Sequence, residues 1–256
     1  MIQFKQISGV FVMGIISLLF GCKEVELIQP DFTNSMNKVI HLNNGATLSY
    51  EMPGNMSNNF NFSERYKVES PKTYRIDISD TSEYKPDTWK LAKKIDGGMW
   101  DYFGDKKKGL NGELGSLNVA LFISEYSDGN IERYVLNAYE NFLNGPDGLN
   151  TKMRSSEMGQ SYTDIELGDW IVNAPPQLNR ITFGGKEYFH WQVKNENRGR
   201  EFVYYIFPLD DKHFISFMFH YTVKVKDEQG LAAQTGFVLA DIARFMKHVE
   251  FHEKQE

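Results

Sequence analysis

Six histidines, a few closely spaced carboxylates and one cysteine are the side chains from which this chain could build chemistry. His248 and His252 stand four apart, a spacing that puts two imidazoles on one helical face. The stretch reads HVEFH rather than the H-E-x-x-H of a zinc protease, so a solvated helix end is the reading and no metal site is expected. His190, His213 and His220 fall on strand-like runs. His213 and His220 lie about 20 Å apart along one run, whereas His190 can approach His220 across a sheet in one register. Partly buried, satisfied imidazoles are the expected state. Asp164 and Glu166 would share one strand face about 7 Å apart, a separation at which two carboxylates can divide acid–base work. Their alternation with Ile165 and Leu167 turns them toward water instead. Asp210 and Asp211 fall where a turn favours Asp, and Trp100 and Trp170 read as core aromatics.

The motifs that would commit the chain to catalysis are missing from the sequence. There is no G-x-S-x-G elbow, no G-x-G-x-x-G and no G-x-x-x-x-G-K-[ST]. Gly109, Gly112 and Gly115 approach the last pattern, but no Lys-Ser or Lys-Thr follows, so a loop is expected. No catalytic residue and no cofactor is assigned, and the enzyme question leans to no. A net charge of −6 argues against binding a phosphate backbone. Lys106 to Lys108, between Gly104 and Gly109, read as a solvated loop, and no nucleic-acid partner is expected.

Cys22 is the one residue with a specific assignment. It follows Ile7 to Gly21, fifteen uncharged residues behind Lys5. At roughly 1.5 Å per residue that run spans about 22 Å, short of a ~30 Å hydrocarbon core, so it reads as an export signal. A lone cysteine has no disulfide partner in its own chain. Leu19-Phe20-Gly21-Cys22 resembles the lipobox of bacterial lipoproteins, with Leu three residues before the Cys and a small Gly just before it. The resemblance implies that Cys22 is acylated, becomes the new N-terminus and holds the protein on a membrane through its lipid. Lys23, in place of the Asp of inner-membrane retention, favours the outer membrane. Cleavage after Gly21 would leave 235 residues and move the formal charge to −7.

The elements that must position everything else follow from periodicity. Residues 1–21 are the signal, 22–37 a tether and 38–256 a single domain. Two apolar runs from Val39 to Pro53 flank Asn43-Asn44-Gly45, a hairpin signal. Asn55 to Ser63 reads as loop and Thr73 to Asp80 as strand. Leu91, Ile95, Met99 and Tyr102 repeat at helical spacing, predicting a helix opened by Pro86 and interrupted at Gly97-Gly98. Leu117 to Tyr126 reads as a buried strand. Asp128-Gly129-Asn130 caps a helix with Ile131, Tyr134, Val135, Ala138, Tyr139, Phe142 and Leu143 on one face, stopped by Gly145-Pro146, and 147–160 reads as loop. Four runs with short connectors, Leu178 to Phe183, Glu187 to Lys194, Glu201 to Leu209 and His213 to Val223, predict a sequential antiparallel meander. Asp227 caps a last helix with Leu231, Val238, Ile242, Phe245 and Val249 on its face.

The expected fold is therefore α+β: an antiparallel β-sheet with a C-terminal four-strand meander and helices packed on both faces. Its element order over residues 39–251 is similar to the PsbP and Mog-type fold, which includes DcrB-like envelope lipoproteins. That resemblance implies interaction or assembly roles more often than catalysis. The leading expectation is a lipid-anchored, periplasm-facing, non-catalytic protein-binding module, in its sharper form an immunity protein against a secreted toxin. The alternative is an envelope enzyme or small-ligand carrier with a site on the meander sheet.

Overall fold

A computed structural model describes residues 29–56, 73–87, 89–104, 113–127, 129–155, 172–195, 200–225 and 227–253. The signal, Cys22, most of the Asn55–Ser63 loop, Lys106 to Lys108, Asp128, Asp164, Glu166 and Trp170 lie outside the described residues.

The Asn-Gly turn closes the hairpin that its sequence predicts. Strands β1 (Asp31–Leu42) and β2 (Thr47–Gly54) pair antiparallel. Gly45 takes a φ of 89°, open to glycine at little cost, and the Asn44 side chain accepts from the Ala46 amide at 3.0 Å. Strand β1 begins at Asp31, so residues 31–37, read as tether, are already strand; an irregularity between Asp31 and Met36 had hidden the alternation. Strand β3 (Thr73–Ile76) joins β1 in parallel, and β11 (Glu250–His252) adds to β2.

The helix expected after Pro86 does not exist. Residues there form β4 (Lys85–Asp87) and the long β5 (Lys90–Phe103). The error has a local cause. A register shift between Lys94 and Asp96 breaks the alternation; Ala92 and Ile95, three apart, are buried in the clusters on opposite faces of the sheet, while Leu91 is left 46% exposed. A bulged strand thus imitates a helical period. Gly97 and Gly98, costly in a helix, here stand opposite Ala120 and Val119 in the ladder to β6 (Glu113–Glu125).

Helix α1 (Ile131–Asn144) starts where Asn130 accepts from the Arg133 amide at 3.0 Å, and it buries Ile131, Val135, Tyr139 and Leu143. A short helix α2 (Leu149–Ser155) occupies part of the stretch read as loop. Strands β7 (Asn179–Phe183), β8 (Lys186–Asn195), β9 (Arg200–Pro208) and β10 (His213–Val223) follow. Helix α3 (Glu228–Lys247) is capped by Asp227, which accepts from the Gly230 amide at 2.7 Å. Its buried positions are Gln234, Val238, Ile242, Phe245 and Met246; Leu231, expected inside, is 40% exposed, and Val249 follows the helix.

The class is mixed α+β with mostly antiparallel strands, but in two sheets where one was expected. One has the order β11-β2-β1-β3, with β1 and β3 parallel, and the other β4-β5-β6-β10-β9-β8-β7. Long-range pairing hides this division: β11 comes from residues some two hundred positions beyond β2. Alternation along β10 divides the core. Ile215, Phe217, Phe219 and Tyr221 join a cluster with Ile40, Tyr50, Val238 and Ile242, from the smaller sheet and α3. Phe214 and Met218 join a second cluster with Val135 and Tyr139 of α1. There Trp191 stacks on Tyr204 at 4.4 Å and meets Trp89 and Tyr139 edge-on.

Candidate functional site: the carboxylate-rich end of the two sheets

Polar groups gather in two places, and they differ in kind. The first is sealed between the sheets. Lys38 of β1 stands opposite Tyr50 of β2, and both face Asp96, at the register shift of β5. The Tyr50 hydroxyl donates to Asp96 Oδ2 at 2.5 Å, Lys38 Nζ lies 3.8 Å from the same oxygen, and the Gly97 amide donates to Oδ1 at 2.9 Å. Asp96 is 1% exposed and Lys38 6%. Burial, then the Asp96 and Tyr74 groups beside it, push the Tyr50 hydroxyl far above its ordinary value. A closed, internally satisfied set of this kind pins the two sheets together rather than meeting a solute.

The second gathering is open to solvent. It lies where β1 ends, where β6 ends and where the β9–β10 turn returns. The Asn43 side chain donates to Asp77 Oδ1 at 2.5 Å and accepts from the Ile78 amide, which docks the loop after β3 onto the hairpin turn. Asp77 and Asp80 each hold the hydroxyl and amide of a serine two residues on, Ser79 and Ser82. Those hydroxyls, chiefly, hold both carboxyls below the ordinary range. Glu83 pairs with Lys93.

Across from this loop, Asp210 organises the β9–β10 turn. Its Oδ1 accepts from the amides of Lys212 at 2.8 Å and His213 at 2.7 Å, and lies 2.9 Å from His213 Nδ1. Burial opposes ionisation of Asp210, but those amides and the imidazole outweigh it and its carboxyl is lowered. His213, 8% exposed, has Glu125 Oε1 at 3.6 Å from its Nε2. Tyr84 is raised by burial and then by Glu125, Asp210 and Asp77, carboxylates from three separate segments. Tyr126 is raised by burial and by Asp211 and Asp210, and donates to the Asp210 carbonyl at 3.1 Å. The result is a rim of carboxylates, with Lys93 and Lys212 among them, over the buried Tyr84 and Tyr126. Chemically the rim concentrates negative charge at a solvent-facing edge, which attracts cations.

The remaining histidines do not converge. His190 stands opposite Tyr205, which stands opposite Phe217, while His220 stands opposite Phe202. Phe217 and His220 are three apart on β10, so His190 and His220 occupy opposite faces of the sheet. Each lies against an aromatic ring: His190 on Tyr205 at 4.8 Å, His220 on Phe202 at 4.5 Å. His248 caps α3 and faces Glu51 at 3.1 Å, whereas His252 belongs to β11 beside Glu250; no helix face joins them. Trp100 is core, 1% exposed, with its indole donating to the Gly54 carbonyl at 2.9 Å. The Asp210–His213 contact and the Lys38–Asp96 pair were not foreseen. The first carries a signal in sequence, Asp three residues before His in a hairpin turn; the second, spanning 58 positions, carries none.

Two sheets with a carboxylate-rich end define this molecule as an α+β protein with an acidic, solvent-facing edge. No protein-family model matches the chain, and neither a curated protein nor a solved structure matches it.

Proposed function

We propose that this chain is a lipid-anchored protein of the bacterial cell envelope that faces the periplasm and works as a non-catalytic protein-binding module, in its specific form an immunity protein that blocks a secreted toxin. The observation that carries the reading is the Leu19-Phe20-Gly21-Cys22 lipobox behind an uncharged run. The direction of β1 supports it. Nine residues after Cys22 the chain enters β1, whose 12 residues rise about 36 Å to the Asn43 turn and the carboxylate rim. A lipid on Cys22 would thus hold one end of the molecule near a bilayer and present the rim at the other. Several acyl chains give stable anchoring, and Lys23 favours the outer membrane. The same reading takes β7 to β10 as a meander with α1 and α3 on its two faces, a layout similar to the PsbP and Mog-type envelope proteins.

Capture from envelope extracts with the full-length, membrane-solubilised chain tests the reading. A cationic partner is expected at low salt and is released on the order of 0.5 M salt, where the Debye length falls below about 5 Å. Glu83→Gln with Asp211→Asn, both exposed positions, is expected to weaken capture several-fold without altering the fold. Failure to capture any partner, or capture indifferent to salt and to the double variant, contradicts the rim as the binding surface.

A further inference from the structure

Between the middle of β1 and the end of β2 that lies away from the Asn43 turn, methionines gather without a packing reason for all of them. Met52 is 2% exposed, but Met36 and Met56 are 41% and 49% exposed. The three are brought to one place by the fold. Met36 stands opposite Met52 in the β1–β2 register, so their Cβ atoms are about 5 Å apart on one face. Met52 Sδ and Met56 Sδ both lie within 3.2 Å of the point where Gly98 would carry a Cβ. The two sulfurs are therefore separated by no more than about twice that distance. The rim of the Trp100 ring, at Cη2, lies 2.8 Å from the same point. Hydrogen bonds from the indole to the Gly54 and Pro53 carbonyls, at 2.9 and 3.3 Å, fix the ring.

Thioethers are neutral, polarisable donors. They bind hard cations poorly and select soft ones, Cu(I) among the biological metals. A residue with three rotatable bonds closes onto such an ion without backbone movement. The edge of the Trp100 indole closes one side of the space beside the sulfurs to water. Glycine at position 98 keeps the space between the sulfurs and the ring free of any side chain. Buried Met52 supplies a fixed donor, and exposed Met56 and Met36 supply donors that can reach solvent and fold back.

We infer that Met52 and Met56, joined by Met36, form a thioether site for a soft monovalent cation, Cu(I) or Ag(I), against the Trp100 indole. The site is independent of the partner-binding rim and of the lipid anchor.

The test uses the full-length Cys22→Ser chain, which removes the one thiol, labelled with ¹³C at the methionine methyls and titrated with Ag(I) in chloride-free buffer. The Met52 and Met56 methyl resonances are expected to move together and saturate at one equivalent, while the buried Met218 and Met246 stay in place. Met56→Leu, at an exposed position, is expected to weaken binding roughly tenfold or more with no change in far-UV circular dichroism, and Met52→Leu/Met56→Leu to remove it. Shifts spread over all methionines without saturation, or unchanged Ag(I) binding in Met56→Leu and in the double variant, would overturn the site.

Discussion

Asp96→Ala is expected to lower the stability of the protein by about 3–5 kcal/mol, the cost of stripping one member from a buried charged set. The side chain accepts from the Tyr50 hydroxyl and the Gly97 amide and faces the Lys38 ammonium, all in a region almost closed to water. Alanine leaves the hydroxyl and amide without that acceptor and the ammonium without that carboxylate, so the loss exceeds that of a single hydrogen bond. The network is not itself a large source of stability. Replacing the set together, Lys38→Met with Asp96→Leu and Tyr50→Phe, is expected to return the protein to within about 1–2 kcal/mol of the parent. Urea midpoints of the parent, Asp96→Ala and the triple variant decide the matter. A triple variant as damaged as Asp96→Ala would mean that the polar contacts themselves hold the sheets together.

Raising the pH above 10 is expected to unfold the protein cooperatively. Burial pushes Tyr188 and Tyr205 up to about 12, and raises Tyr50, Tyr102 and Tyr139 further, with Asp96 and Asp241 adding to the first two of these. The sign follows from linkage. These folded hydroxyls keep protons that the unfolded chain releases near pH 10, so their contribution is whole below that pH and drains away as pH rises toward the folded values. Each such tyrosine costs about 1.4 kcal/mol per pH unit. Five together cost about 7 kcal/mol per unit, against a total stability of about 5–15 kcal/mol. The structure therefore gives way before the buried rings titrate in place. Phenolate absorbance and circular dichroism, followed together, should change in one step between about pH 10 and 12. Full phenolate formation with the dichroism unchanged would contradict the burial of these rings.

How far the sequence could be read follows from how local each signal was. The Asn-Gly hairpin, the Asn130 and Asp227 caps and the apolar face of α1 depend on residues within a few positions of one another, and each stands where its pattern puts it. Runs at Leu178, Glu187, Glu201 and His213 coincide with β7 to β10 within a residue or two. Strand β5 was illegible because a bulge breaks the period of two and leaves spacings of three and four. The smaller sheet was illegible because it assembles strands distant in sequence, including a parallel pair that no tight turn can make. The same limit applies to the rim. Asp77 and Glu125 fall inside runs read as strands and Asp210 in a turn, and only the fold sets them around Tyr84.

The two ends of the molecule then carry different assignments. Under the function we propose, the rim of carboxylates at the Asn43 turn is where a cationic partner would dock, and β1 separates it by its own length from the chain that leads back to Cys22. The orientation of that rim toward the periplasm depends on the lipid. Metabolic labelling with a clickable fatty acid, followed by fractionation of the envelope, tests the anchor most directly. The full-length chain should take up label and float with the outer membrane, and Cys22→Ala should take up none. Label that persists in Cys22→Ala, or a native chain that takes up none, would contradict it.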